Sequence, residues 1–191
     1  ITLSAVMCMA ALTGCGGKSD SAKKTAKVIE VDLTDEQYAF GVDKDQPDLL
    51  KEVNQFVKDM KSDGTFDEIC NRYFGDGTPV PVKSAAYDES KDQLVVATNA
   101  AFEPFEYMDG ENYVGIDMEI AKALADKLGK ELVIQNMDFD AVCLSVGQHK
   151  CDVAMAGLTI KPDREEYVAF SDPYYSASQK LITLSTDTEF D

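Results

Sequence analysis

The chain has 191 residues, 45% of them hydrophobic, with 35 acidic against 18 basic side chains and a net charge of −17. That length buries one ordinary core, not two full ones. The charge repels a phosphate backbone, so no nucleic-acid partner is expected, and no stretch is long and apolar enough to span a bilayer.

Residues 1–14, ITLSAVMCMAALTG, form a short apolar run ending in small residues, the pattern of a secretory signal without its basic start. Leu12 to Cys15, LTGC, resembles the bacterial lipobox, which implies lipidation of Cys15 and contact with the membrane through that lipid alone. Residues 15–33 then read as a polar, flexible tether. Cys8 would leave with the signal. Cys70, Cys143 and Cys151 have no paired CxxC spacing, so no metal site is expected. They read as small buried apolar residues, with a Cys143–Cys151 disulfide as the open alternative outside the cytoplasm.

Segment 34–75 predicts a short strand and two helices. Leu49, Leu50, Val53, Phe56, Val57 and Met60 recur at helical spacing, with Pro47 in the first turn and Gly64 as the stop. Thr65 and Glu68 suggest a capping box for the second helix, whose apolar face is Phe66, Ile69, Cys70, Tyr73 and Phe74. Residues 76–92 hold two prolines and no period, and read as a linker.

From 94 to 184 strand and helix alternate. LVVAT (94–98) is a strand, 116–128 a helix, ELVIQ (131–135) a strand, 140–148 a short helix and DVAMAG (152–157) a third strand. The fold class is therefore α/β, a doubly wound, mainly parallel sheet flanked by helices. Such sheets bind ligands beyond the carboxyl ends of their strands. Those ends supply Asn99, Phe102 and Phe105 after the first strand, Phe139 after the second, and Gly157, Thr159 and Arg164 after the third. Arg164 is one of only two arginines, and a guanidinium fork pairs two-on-two with a carboxylate. Two aromatics, an amide, a hydroxyl and an arginine on one rim suit a small anionic ligand. Acid–base chemistry would need a poised carboxylate or histidine. His149, the only histidine, stands at a helix–strand turn away from those ends and reads as solvated, while Glu103 and Asp140 read as loop charges. No catalytic residue is expected.

Across these motifs, in LVVATNAAFEPF, GIDMEIAKALADKLG and AGLTIKPDR, residues 94–175 resemble bacterial extracellular solute-binding proteins of the polar amino-acid type. The resemblance implies a periplasmic-binding-protein-like lobe, a polar amino-acid ligand, ABC permease subunits as partners, an extracytoplasmic location and no cofactor. It also implies that Phe102 and Phe139 sandwich the ligand, while the Gly157 backbone, Thr159 and Arg164 hold its α-carboxylate. Asn99 stands where several relatives carry an aspartate, which leans toward an uncharged side chain such as glutamine. In that family a segment like 34–75 returns to the first lobe at the end of the chain, whereas here it comes first. The expectation is thus a permuted first lobe carrying half a cleft, with 185–191 starting a hinge toward a second lobe, in a fragment or a natural single lobe. A dehydratase-like enzyme on the same scaffold, or a ligand-sensing input domain, is the alternative.

Overall fold

The structure, a computed structural model, describes residues 25–184. The signal-like run, Cys15, the start of the tether and segment 185–191 lie outside those residues. In chain order the elements are β1 (Ala26–Val28), β2 (Glu36–Tyr38), β3 (Gly41–Asp43), α1 (Pro47–Ser62), α2 (Thr65–Phe74), β4 (Gln93–Thr98), β5 (Ala101–Phe102) and β6 (Glu106–Asp109). They continue with β7 (Asn112–Val114), α3 (Ile116–Leu128), β8 (Glu131–Asn136), α4 (Phe139–Gly147), β9 (Val153–Ala154), α5 (Pro162–Glu165), β10 (Val168–Phe170), β11 (Tyr175–Ala177) and β12 (Ile182–Leu184). Two compact units result among the described residues: 36–177, and the flanking 25–35 with 178–184.

The flanking unit is a ribbon. β1 and β12 pair antiparallel, with Ala26 opposite Leu184 and Val28 opposite Ile182, so these four apolar side chains share one face. The segment expected to be tether up to residue 33 is therefore a strand at 26–28. The Ile29 N–H donates to the Leu181 carbonyl and the Leu33 N–H to that of Gln179, which carries the pairing further. Val28, Ile29 and Val31 bring the β-branched side chains that favour an extended backbone.

Residues 36–177 are built on a five-stranded sheet in the order β10-β3-β9-β4-β8. β4 pairs in parallel with both β8 and β9, while β3 and β10 add antiparallel strands at one side. Alternation along β4 sends Leu94 and Val96 to one face and Val95 and Ala97 to the other. The first face is covered by Val53, Phe56, Val57 and Met60 of α1, Ile69 of α2, and Ile116, Ile120 and Leu124 of α3. The second is covered by Val142, Cys143 and Val146 of α4. Each fully buried side chain of this size contributes about 1.5–3 kcal/mol, so the two faces hold the fold. The chain leaves β4 through α3 to β8 on one side, then returns through α4 to β9 on the other. The connection reverses at β4, and that places the rim.

Several local expectations need correction. The third strand is two residues long, not six, because the chain turns away at Gly157, whose φ is +51°. The second helix begins at Thr65 itself, so no capping box forms. Gly64 at φ +89° turns the chain, and the Asp63 carboxylate accepts the Thr65 N–H at 2.9 Å. The 76–92 segment is a pinned strap: Val82 exchanges backbone hydrogen bonds with Tyr113, and the buried Glu119 carboxylate accepts from Val80 N–H, Tyr73 OH and Arg72. Cys143 and Cys151 are both free thiols, so the disulfide alternative falls. Burial pushes the Cys143 thiol up to about 11.

Candidate ligand-binding site

The loops after β4, β8 and β9 meet at the carboxyl ends of the strands. The first two are tied together by three hydrogen bonds. Asn99 Nδ2 donates to the Met137 carbonyl at 2.7 Å, the Ala100 N–H to Asn136 Oδ1 at 2.9 Å, and the Met137 N–H to the Thr98 carbonyl at 2.9 Å. Asn99 thus spends one of its two amide N–H donors on the scaffold. Its Oδ1 meets no donor among the described residues and remains an acceptor.

Arg164 sits on α5, started by Pro162 in its first turn. Its guanidinium lies over the Phe139 ring, 5.0 Å from the centroid, and Nη1 donates to the Thr159 carbonyl at 2.8 Å. Such a face-on contact is worth about 0.5–1 kcal/mol and orients the fork. The other arginine, Arg72, is paired with both Glu68 and Glu119. Among the described residues no carboxylate pairs with Arg164, although the chain carries 35 acidic side chains. An oriented guanidinium that no protein anion neutralises is a ready anion receptor.

The structure therefore joins Phe139, Thr159 and Arg164 directly. It joins Phe102 and Gly157 as a second group. Phe102 is 43% exposed and Phe139 40%, and Phe102 stacks on the buried Phe105 at 5.6 Å. Phe105 in turn packs edge-on against Tyr38 and Tyr175. A Cβ on Gly157 would lie 2.9 Å from Phe102 Cε1, so the glycine lets the ring rest on the backbone. The Gly157 N–H points inward and donates to Asp117 Oδ2 at 2.9 Å. It is not a rim donor, and what Gly157 supplies is the close approach of Phe102. Gly157→Ala combines a left-handed backbone with that contact and should lower unfolding free energy by about 1–3 kcal/mol, measured by the urea midpoint.

Three residues here were not foreseen from sequence. Glu36 accepts a hydrogen bond from Thr159 Oγ1 at 3.0 Å, so a carboxylate already meets that hydroxyl. Asp117, fully buried, accepts from Gly157 N–H and from Tyr174 OH at 2.6 Å, and so fixes the turn that carries Thr159. Glu106 is also fully buried, and neither of its carboxyl oxygens has a partner. Burial first, and the charge on Asp117 second, push the Glu106 carboxyl far above the carboxylate range. Asp117 is raised by burial, an effect opposed by its two donors, so the proton resides on Glu106. No sequence pattern distinguishes these three from surface acids. Glu103 is exposed on a turn, as expected of a loop charge, whereas Asp140, also exposed, lies in the first turn of α4.

The family described as "Bacterial extracellular solute-binding proteins, family 3" matches residues 12–76 and 94–190. The arginine-binding extracellular protein ArtP of Bacillus subtilis is 40% identical over 96 residues, 50% of this chain and 38% of that protein. Cyclohexadienyl dehydratase of Pseudomonas aeruginosa is 33% identical over 95 residues, 49% of this chain and 35% of that enzyme. The arginine-bound domain 1 of TmArgBP is 37% identical, with 55% of this chain and 91% of that chain covered at a TM-score of 0.43. The matched stretch thus spans about two-fifths of the length of these curated relatives. With the family matched over both halves of the compact unit, the chain belongs to the bacterial extracellular solute-binding proteins, family 3.

Proposed function

We propose that the chain binds a polar amino acid outside the cytoplasm and serves its delivery through ABC permease subunits, without being an enzyme. The observation that carries this is Arg164, placed over the Phe139 ring, tied by one N–H to the Thr159 carbonyl and unpaired with any described carboxylate. The ligand's α-carboxylate is the missing partner, and Phe102 with Phe139 supplies the apolar wall. Asn99 presents a carbonyl oxygen, which accepts from the terminal N–H groups of either arginine or glutamine. The arginine-binding relatives favour arginine, and the acidic chain favours a cation. Glutamine stays second. Lipidation at Cys15 holds the protein at the membrane, and the rim forms one wall of a cleft. An enzyme would need an acid or base touching the ligand. The two carboxyls with raised affinity for protons, Glu106 and Asp117, have no exposed surface to offer one.

Titration calorimetry with L-arginine, L-glutamine and L-aspartate tests the reading. Arginine should give one saturable isotherm, glutamine should bind more weakly and aspartate should not bind. Recovery of the arginine unchanged, by mass spectrometry, completes the result. Aspartate binding as tightly as arginine, or a chemically altered ligand, overturns it.

A further inference from the structure

At the opposite end of the sheet from the rim, His149 is exposed, as its turn position suggested, and stands beside two aspartates. It lies in the α4–β9 turn, ahead of β9, whereas the rim follows β9. β3 runs antiparallel to β9, so its last residue, Asp43, arrives at the same end. Asp43 is only 3% exposed, and its Oδ2 lies 2.8 Å from His149 Nδ1. Asp45, two residues on, holds its carboxylate 3.6 Å from His149 Nε2, just beyond a hydrogen bond. The Asp45 N–H donates to Asp43 Oδ1 at 2.9 Å, which fixes the turn between the two aspartates.

Two carboxylate oxygens and one imidazole nitrogen therefore stand within 4.8 Å of one another, contributed by two turns far apart in sequence. Ligand bonds of about 2.0–2.2 Å set tetrahedral donors roughly 3.3–3.6 Å apart, so a small closure of the side chains brings these three onto one first-row divalent cation. The buried Asp43 is fixed. The His149 and Asp45 side chains are 57% and 79% exposed, so both can turn onto a cation without disturbing the core. The mixed oxygen and nitrogen set suits zinc, cobalt or nickel more than magnesium or calcium, which take oxygen alone. Three protein ligands leave further positions to water. Lys44, which lies between the two aspartates in sequence, directs its ammonium to the Glu166 carbonyl at 3.0 Å.

We propose that Asp43, Asp45 and His149 bind a zinc-class divalent cation that staples the β3–α1 turn to the α4–β9 turn. The site is separate from the amino-acid rim and does not rest on the function proposed for it. Because His149 is the only histidine, any imidazole signal reports this site alone. The test uses the full chain with no histidine tag, titrated with zinc chloride in a non-chelating buffer and read by calorimetry, the His149 ring NMR signals and the melting temperature. One equivalent should bind, shift the ring signals and raise the melting temperature. His149→Gln and Asp45→Ala change exposed side chains, so both should fold, and each should weaken zinc at least about tenfold and abolish the melting shift. Arg164→Ala should bind zinc as the wild type does. Unchanged zinc affinity in both exposed variants, with the ring signals unmoved, would assign the metal to thiols or scattered surface acids and overturn the site.

Discussion

Arg164→Ala should weaken amino-acid binding by at least about a hundredfold, and the loss should depend on the ligand's carboxylate. Two charge-assisted hydrogen bonds at about 1.5 kcal/mol each already give 3 kcal/mol, where 1.4 kcal/mol is tenfold. The fork is pre-oriented by Phe139 below it and the Thr159 carbonyl beside it, so little rotamer freedom is left to lose on binding. The measurement is a cycle: wild type and Arg164→Ala, each titrated with L-arginine and with L-argininamide. The amide should bind the wild type about as poorly as the acid binds Arg164→Ala. It should be indifferent to the substitution, because the partner is already gone. Arg164→Lys should recover part of the loss, since an ammonium is a point donor that cannot lie two-on-two against a carboxylate. Additive losses from the two changes would place the carboxylate somewhere other than Arg164.

What could be read from sequence divides along the range of the forces involved. Helices α1 and α3 announce themselves because Val53, Phe56, Val57 and Met60, or Ile116, Ile120 and Leu124, repeat within a few turns. β4 and β8 do so as unbroken apolar runs. The rim residues follow from these, since loops at strand ends need only the order of elements. Contacts between distant segments leave no such trace. β3 is three residues long and acquires its place in the sheet only by pairing with β9 and β10, more than a hundred positions later. The β6–β7 hairpin did carry a signal, Asp109-Gly110 between alternating side chains, and a turn rule could have found it. The orientation of the Gly157 N–H left no trace in the local sequence, because it is decided by Asp117, forty residues earlier. His149 is exposed, as its turn position implied, but its contact with Asp43 was illegible for the same reason. Its partner lies on a strand that composition alone did not place.

Glu106 makes the second large effect, and it appears in stability. In the unfolded chain this carboxyl releases its proton near its ordinary value of 4.5, whereas in the fold burial and the charge on Asp117 retain it. The native state therefore binds more protons than the unfolded state from that value upward. Stability must then fall as pH rises, by about 1.4 kcal/mol per pH unit for each retained proton. Asp117, also raised, adds the same sign at the acid end of the window. Tyr38 and Tyr174 face the pair, and burial raises both phenols, so neither ionises within that window. His149 is raised by its hydrogen bond to Asp43 and loses its contribution as pH rises, but it does so equally in any Glu106 variant. Glu106→Gln keeps the shape and the neutral state at every pH. Between about pH 5.5 and 7.5 the wild type should lose roughly 3 kcal/mol relative to this variant, read from urea midpoints at several pH values. Glu106→Gln should accordingly be the more stable protein at neutral pH, although it removes a natural carboxylate from an acidic family member. Parallel pH curves for the two proteins would mean that Glu106 ionises normally in the fold. A carboxylate with no partner and no water contact could sustain that only at a cost of several kcal/mol, which is the reason the proton is expected to stay.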